Sequence, residues 1–446
     1  MMRDTLAPPP GTTVTSDSTL TFGLRLLYYV AGFGASVLIS RGLGVEGRGL
    51  YYLPVVTAAT IAALGHLSLD QANVYLLGTR KLSVGRLWGQ SGLVAAATGV
   101  LGFVALVVAP RVFPGLFEAT RPRWLWLAGL SIPFAIHTQL AAGLLSLRGD
   151  VTWQFKASLA ASIAQLALLA GVALSGWFDV DVVLGIYLVV AMLTWAIVVS
   201  RFRTQPGPWL RWDPGLLHET MRQSIWLHIG SILLFLHLRL DMLMVQGLAG
   251  TAALGIYSLA VTLAETVLLA TDSLAIAILP RQVTRTIADA ARTSLRGVRM
   301  NLLLGAGLAS GWVVVGYPLI LLAFGPDFSG TYPPLLALLP GLVFLGLQRV
   351  CGGAVLRSDQ PYRIVAINAL SLACNASLNW WWIPRWGPLG AGLASSCSYA
   401  LGACLFLIWT SRLAERRGVS TLLPGRAELR TLYEAARSLI ARSRRP

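Results

Sequence analysis

Charge is what this sequence has least of. Only 12% of its 446 residues are Asp, Glu, Lys or Arg, against roughly 25% in a soluble globular chain. Lysine is nearly absent, with Lys81 and Lys156 alone, so the 35 basic residues are almost all arginine. Cysteine is limited to Cys351, Cys374, Cys397 and Cys404, and no pair has a metal-like spacing. That excludes a disulfide framework and a zinc site. The chain has no P-loop, no HExxH sequence and no nucleophile–His–acid arrangement. ATP hydrolysis within the chain therefore has no motif behind it.

What is present instead is apolar. The set AVILMFWYC makes up 55% of the residues, and mean hydropathy is +0.67. Near-continuous apolar runs of about 20 residues match the roughly 30 Å of a bilayer core. The class is a polytopic helical membrane protein. Net charge is +16. In a soluble protein such an excess would suggest nucleic acid; here no nucleic-acid partner is expected, and the cytoplasmic loops are its place.

Twelve spans are expected. The first six are Leu20–Ser40, Leu50–Leu77, Leu87–Ala109, Trp124–Leu147, Trp153–Leu174 and Val182–Ser200. The second six are Ser224–Leu248, Ala252–Pro280, Val298–Phe324, Tyr332–Leu356, Tyr362–Ile383 and Leu389–Ser411. With the N-terminus cytoplasmic, only Arg41, Arg48, Arg111, Arg121, Arg123 and Arg385 fall outside, and Arg25, Arg239 and Arg349 fall within spans. All other basic residues lie inside, so both termini are expected in the cytoplasm.

Residues 1–19 read as a disordered cytoplasmic tail with no removable signal peptide ahead of the first span. Two six-helix bundles follow, 20–201 and 224–411, joined by a proline-containing cytoplasmic linker at 202–223. A basic tail covers 412–446. Within that tail a helix from about Ala427 to Ser443 puts Leu429, Leu432, Tyr433, Leu439 and Ile440 on one face. It fits the anionic inner leaflet or a partner enzyme, a polymerase or transferase.

The halves repeat. Gly42-Leu43 and Gly247-Leu248 are 205 residues apart, as are Tyr52 and Tyr257. Leu147-Arg148-Gly149-Asp150 and Leu356-Arg357-Ser358-Asp359 are 209 apart, as are Gln139 and Gln348. An even number of spans per half makes the repeat parallel, about an axis along the membrane normal.

Three local sequences carry a family resemblance. Ile39-Ser40-Arg41-Gly42-Leu43-Gly44-Val45-Glu46-Gly47-Arg48-Gly49 follows span one, and Leu240-Asp241-Met242 closes span seven ahead of Gly255-Ile256-Tyr257-Ser258-Leu259-Ala260. Asn375 and Asn379 precede Ile383-Pro384-Arg385-Trp386-Gly387-Pro388-Leu389-Gly390. The chain resembles the polysaccharide-transport branch of the multidrug/oligosaccharidyl-lipid/polysaccharide exporter superfamily, the O-antigen-type flippases, over about residues 20–411. The resemblance implies a V-shaped pair of bundles around a central cavity in the cytoplasmic membrane. It also implies alternating access that carries a polyprenyl-pyrophosphate-linked oligosaccharide from the inner to the outer leaflet.

Embedded polar residues are the candidate site. A charge at mid-bilayer costs about 2.5–3.5 kcal/mol on insertion scales, so each needs a reason. Arg25, Arg239 and Arg349 either meet a pyrophosphate, for which guanidinium is suited, or snorkel or pair structurally. Gln139, Gln348, Asn368, Asn375 and Asn379 either face sugar hydroxyls or join helices. Asp70, Asp241, Glu265 and Asp272 are either proton- or sodium-coupling groups or packing partners, with Glu265 and Asp272 on one helix face. His66 and His137 are further protonation candidates. No cofactor is expected beyond a proton or sodium gradient. Two other functions stay open: a cation-coupled small-molecule exporter of the same fold, and a membrane-embedded glycan polymerase or ligase. Against the enzyme, outer connections are short, the longest being Pro110–Arg123.

Overall fold

The computed structural model describes residues 14–79, 84–147, 150–202, 213–283, 286–356 and 360–415. All regular structure among them is helical. The amphipathic tail at 427–443 and Arg148, Arg357 and Asp359 of the repeated loop lie outside the described residues.

Helix α1 runs over Val14–Gly65. Straight, 52 residues would span about 78 Å, more than twice a bilayer core. The chain breaks instead at Gly44, with φ 68° and ψ −175°, a conformation open only to glycine. Spans one and two are thus two legs of one hairpin. Span two then breaks again: after Gly65, Leu67 (φ 53°) and Ser68 (φ 48°) are left-handed, and α2 restarts at Leu69–Thr79. Non-glycine residues in that region cost about 1–3 kcal/mol each and persist only where their surroundings hold them.

Span three is α3 (Val84–Val112) and is followed by the short α4 (Pro114–Phe117). Span four is α5 (Pro122–Leu130) and α6 (Ile132–Leu147), interrupted at Ser131, whose hydroxyl donates to Ala128 O at 2.6 Å. Spans five, six and seven are α7 (Val151–Ser175), α8 (Val180–Ser200) and α9 (Pro214–Ala249). Span eight is α10 (Thr251–Ala264) and α11 (Leu268–Val283), with a 3₁₀ turn at Glu265–Val267 between them. The last four spans are α12 (Ile287–Ala323), α13 (Tyr332–Leu356), α14 (Pro361–Trp386) and α15 (Pro388–Leu413).

Among the described residues, ten stretches are long and apolar enough to cross a membrane on composition alone. One of them, Gly23–Asn73, holds both legs of the α1 hairpin. Of the long helices described, α14 is not among the ten; its 26 residues carry the Asn/Ser stripe and three consecutive tryptophans. With these two the helices agree with the twelve expected spans. Large apolar side chains such as Leu101, Leu174, Val314 and Leu322 are 69–90% exposed. That outer surface belongs in hydrocarbon, where it is not exposed to water.

The chain forms two compact units. The first comprises Met1–Ser258 with Leu321–Phe328, and the second Leu259–Ile320 with Ser329–Pro446. Helix α9 therefore packs in the first unit, chiefly against α1 and α2, whereas the sequence reading began the second bundle at residue 224. One core of the first unit joins Ile39, Tyr51, Trp124, Leu169 and Leu184 of α1, α5, α7 and α8. Another joins Leu76, Leu87, Trp88, Leu144, Ala157 and Phe202, with Trp88 stacked on Phe202 at 4.1 Å. The core of the second unit joins Ile278, Val298, Val350, Cys351, Phe406 and Trp409. There α13 and α15 approach closely: Gly341 N donates to Ser396 Oγ at 2.9 Å, and Ser396 donates to Ala337 O. Small residues permit this spacing, and hydroxyls bind it.

The repeat is visible in the backbone of the first unit. Gly250, between α9 and α10, has φ 87° and ψ 179°, close to Gly44. A Cβ added to Gly49 would collide with Thr251 O, and one added to Gly255 with Val45 O. Gly44/Gly250, Val45/Thr251 and Gly49/Gly255 share one sequence offset, 250 − 44 = 206. Each hairpin thus presses its glycine on the other's carbonyl. This register is one residue off the 205 expected from Gly42 and Tyr52, because short matches in apolar sequence fit two neighbouring alignments.

Candidate functional site

The first unit holds a partly open cavity of about 450 Å³ between α1, α2, α6, α8 and α9. Its size lies in the range of small-molecule sites. The second leg of α1 supplies Ala58, Ala59, Ala62 and Ala63, whose small side chains leave the space. Helix α9 supplies Ser231, Leu234, Phe235 and Leu238, at steps of three, one and three along a single face. The polar groups are His66, Gln71, Ser131, Gln139, Tyr187 and Ser231. They are amides, hydroxyls and one imidazole, with no carboxylate or guanidinium among the lining residues.

The break in span two positions the imidazole. His66 is 4% exposed, and its ring lies 5.6 Å from that of His228 on α9, edge to face. Ser68 Oγ lies 3.3 Å from His228 Nδ1. His66 Nδ1 and Asp70 Oδ1 are buried without a hydrogen-bond partner. Beyond the cavity wall, His137 stacks on Trp88 at 4.5 Å and accepts a hydrogen bond from Trp195 Nε1 at 3.0 Å.

Of the residues expected to bind substrate, the cavity collects Gln139. Arg239 follows the lining residue Leu238 on α9 but is not itself in the lining. Arg25 lies over the Phe155 ring at 5.5 Å, joining α1 to α7. In the second unit Arg349 forms an ion pair with Asp272, bridging α13 and α11. Gln348 donates to Tyr399 O at 2.9 Å. Asn375 Nδ2 reaches Ser395 Oγ at 3.4 Å and Ser398 Oγ at 3.2 Å, and Asn379 donates to Asn375 Oδ1 at 2.9 Å. Asn368, Asn375 and Asn379 are all buried. The stripe on α14 is buried, and Asn375 joins it to the hydroxyls of α15.

Among the expected coupling acids, Asp70 stands beside the cavity at His66. Asp241 is 1% exposed and accepts from the Tyr257 hydroxyl at 2.5 Å and its neighbour Met242 N at 2.8 Å. Glu265 begins the 3₁₀ turn of span eight, which falls between it and Asp272. Arg48, expected in an outer loop, is 3% exposed inside α1. Its guanidinium donates to Ser40 Oγ at 2.7 Å, Ser258 Oγ at 3.1 Å and Ser36 Oγ at 3.2 Å. Arg41 closes the last turn of α12 by donating to Ala323 O at 2.7 Å and Leu322 O at 2.5 Å.

Sequence reasoning missed Gln71, Ser131, Tyr187, Ser231 and His228. Ser131, Tyr187, Ser231 and His228 are isolated polar residues in apolar runs, Gln71 merely follows Asp70, and only the shared α9 face gave a periodic signal.

The fold is one shared with solved membrane transporters. Residues align with a lipid II flippase, MurJ, in an inward closed conformation: TM-score 0.69, 14% identity, 89% of this chain and 90% of that one. An inward-facing multidrug resistance MATE family transporter of the MOP superfamily gives TM-score 0.63 and 11% identity over 91% and 96% of the two chains. A MATE transporter of Vibrio cholerae gives 0.60 and 14% over 90% and 98%. No curated protein matches the sequence. The polysaccharide biosynthesis protein family matches residues 14–283, more than half of the chain, and the chain belongs to that family.

Proposed function

We propose that this protein moves a polyprenyl-pyrophosphate-linked oligosaccharide from the inner to the outer leaflet of the cytoplasmic membrane by alternating access. The observation that carries this reading is the chemistry of the cavity. Its lining offers neutral donors and acceptors beside Tyr187 and Phe235. That set suits sugar hydroxyls and an apolar sugar face. Membership of a polysaccharide biosynthesis family supports the same substrate class.

In this reading the protein acts by transport rather than by bond-making chemistry. Both termini face the cytoplasm, as the placement of the arginines indicates. Its functional partners are the transferases that build the lipid-linked glycan and the polymerase that uses it.

The test is reconstitution in vesicles with a labelled short-chain polyprenyl-pyrophosphate disaccharide on the inner leaflet. The protein should deliver the label to the outer leaflet. Ala135→Trp, which fills the cavity from α6, should reduce the rate at least tenfold without loss of folded protein. Full activity in that variant would remove the cavity from the mechanism.

A further inference from the structure

We propose that His66, Asp70 and His228 form a proton-binding site at the break in span two, and that its loading is linked to the state of the cavity that His66 lines. Two buried polar atoms carry the argument. His66 Nδ1 and Asp70 Oδ1 are both buried, and neither has a hydrogen-bond partner. Buried polar atoms left unpaired are costly, and a proton held between the imidazole and the carboxylate would pair them. The two groups lie four residues apart around the left-handed pair Leu67 and Ser68, so the backbone break presents both to the same interior.

The surrounding groups are few. Helix α9 presents His228, whose ring is 5.6 Å from that of His66. Helix α2 presents Asp70. Helix α6 presents Gln139, with His137 directed away toward Trp88 and Trp195. Helix α8 presents Tyr187. The electrostatic interactions here run between His66 and Asp70 and between His66 and His228. Binding one proton therefore changes the charge of the whole cluster, in a medium where charge is felt strongly. Ser68 Oγ, in contact with His228 Nδ1, ties the break to α9. A change of charge at the cluster thus reaches two walls of the cavity at once. Imidazole is the group whose proton changes hands near neutral pH.

The role in turnover rests on the transport reading, but the site itself does not. Its test is hydrogen exchange on the full-length protein in lipid nanodiscs without substrate, at about pH 8 and about pH 5.5, corrected for intrinsic exchange. Exchange over residues 64–72 should differ at least threefold between the two conditions in the wild type. The difference should vanish in His66→Gln and in Asp70→Asn and persist in His137→Gln. No difference in the wild type, or an unchanged one in both variants, would overturn the proposal. If one variant fails to fold, the other and His228→Gln decide. Flipping in vesicles that is independent of pH, with no pH effect on this segment, sinks the proton site and leaves the flippase. A pH-dependent segment in a protein that moves no lipid-linked glycan does the reverse.

Discussion

The reciprocal glycine contact gives the sharpest structural prediction. A methyl at Gly49 would overlap Thr251 O, and a methyl at Gly255 would overlap Val45 O. The obstacle is a helix backbone in each case, so it cannot swing aside as a side chain would. Overpacking of this kind costs about 1–3 kcal/mol. Alanine regains about 0.8–1.0 kcal/mol over glycine in a helix. The contact is with backbone and very close, so the steric term wins, and Gly49→Ala and Gly255→Ala should each lose up to about 2 kcal/mol. Gly171→Ala and Gly185→Ala have nothing within 4 Å of the new methyl, so they should be neutral or slightly stabilising. Because the two glycines share one crossing, the double variant should lose less than the sum of the singles. Thermal unfolding of purified variants in lipid nanodiscs measures all five. Gly49→Ala as stable as Gly171→Ala would refute the close approach of the two hairpins.

Breaking the buried α14–α15 contacts by Asn375→Leu should cost about 0.6–1.7 kcal/mol in the same unfolding assay. Arg349→Ala should destabilise more than the double variant with Asp272→Ala, since the single change leaves a carboxylate without its guanidinium; a double-mutant cycle reads the coupling. Asp213 caps α9, its carboxylate accepting from Leu216 N at 3.0 Å. That hydrogen bond, and then the Arg86 guanidinium, hold the carboxyl below its ordinary value of 3.8. Its contribution is therefore full above that value and is lost as pH falls through the lower folded-state value. Hydrogen exchange at the start of α9 should rise in that acidic window in the wild type and lose the dependence in Asp213→Asn.

The spans were legible because a bilayer enforces long apolar runs, and their count survives even where helices merge or break. Polar side chains were less legible. The spacing of Asn368, Asn375 and Asn379 gave a helix face but not what the face meets, and the Asn375 amide meets the hydroxyls of α15. Arg48 looked like a loop cation because charged residues cluster at turns, yet Ser36, Ser40 and Ser258 hold it inside. The break after Gly65 had no signal at all: Leu67 and Ser68 are ordinary residues forced left-handed by their surroundings. The cavity depends on that break, so the sequence named His66, Asp70 and Gln139 separately but could not assemble them.

The central claim is that the cavity of the first unit carries a lipid-linked glycan. Vesicles loaded on the inner leaflet with the labelled polyprenyl-pyrophosphate disaccharide test it most directly, with wild type and Ala135→Trp side by side. The account predicts transfer by the wild type and at least a tenfold loss in the folded variant. Equal transfer by both proteins, or no glycan transfer alongside efflux of cationic dyes, would contradict it.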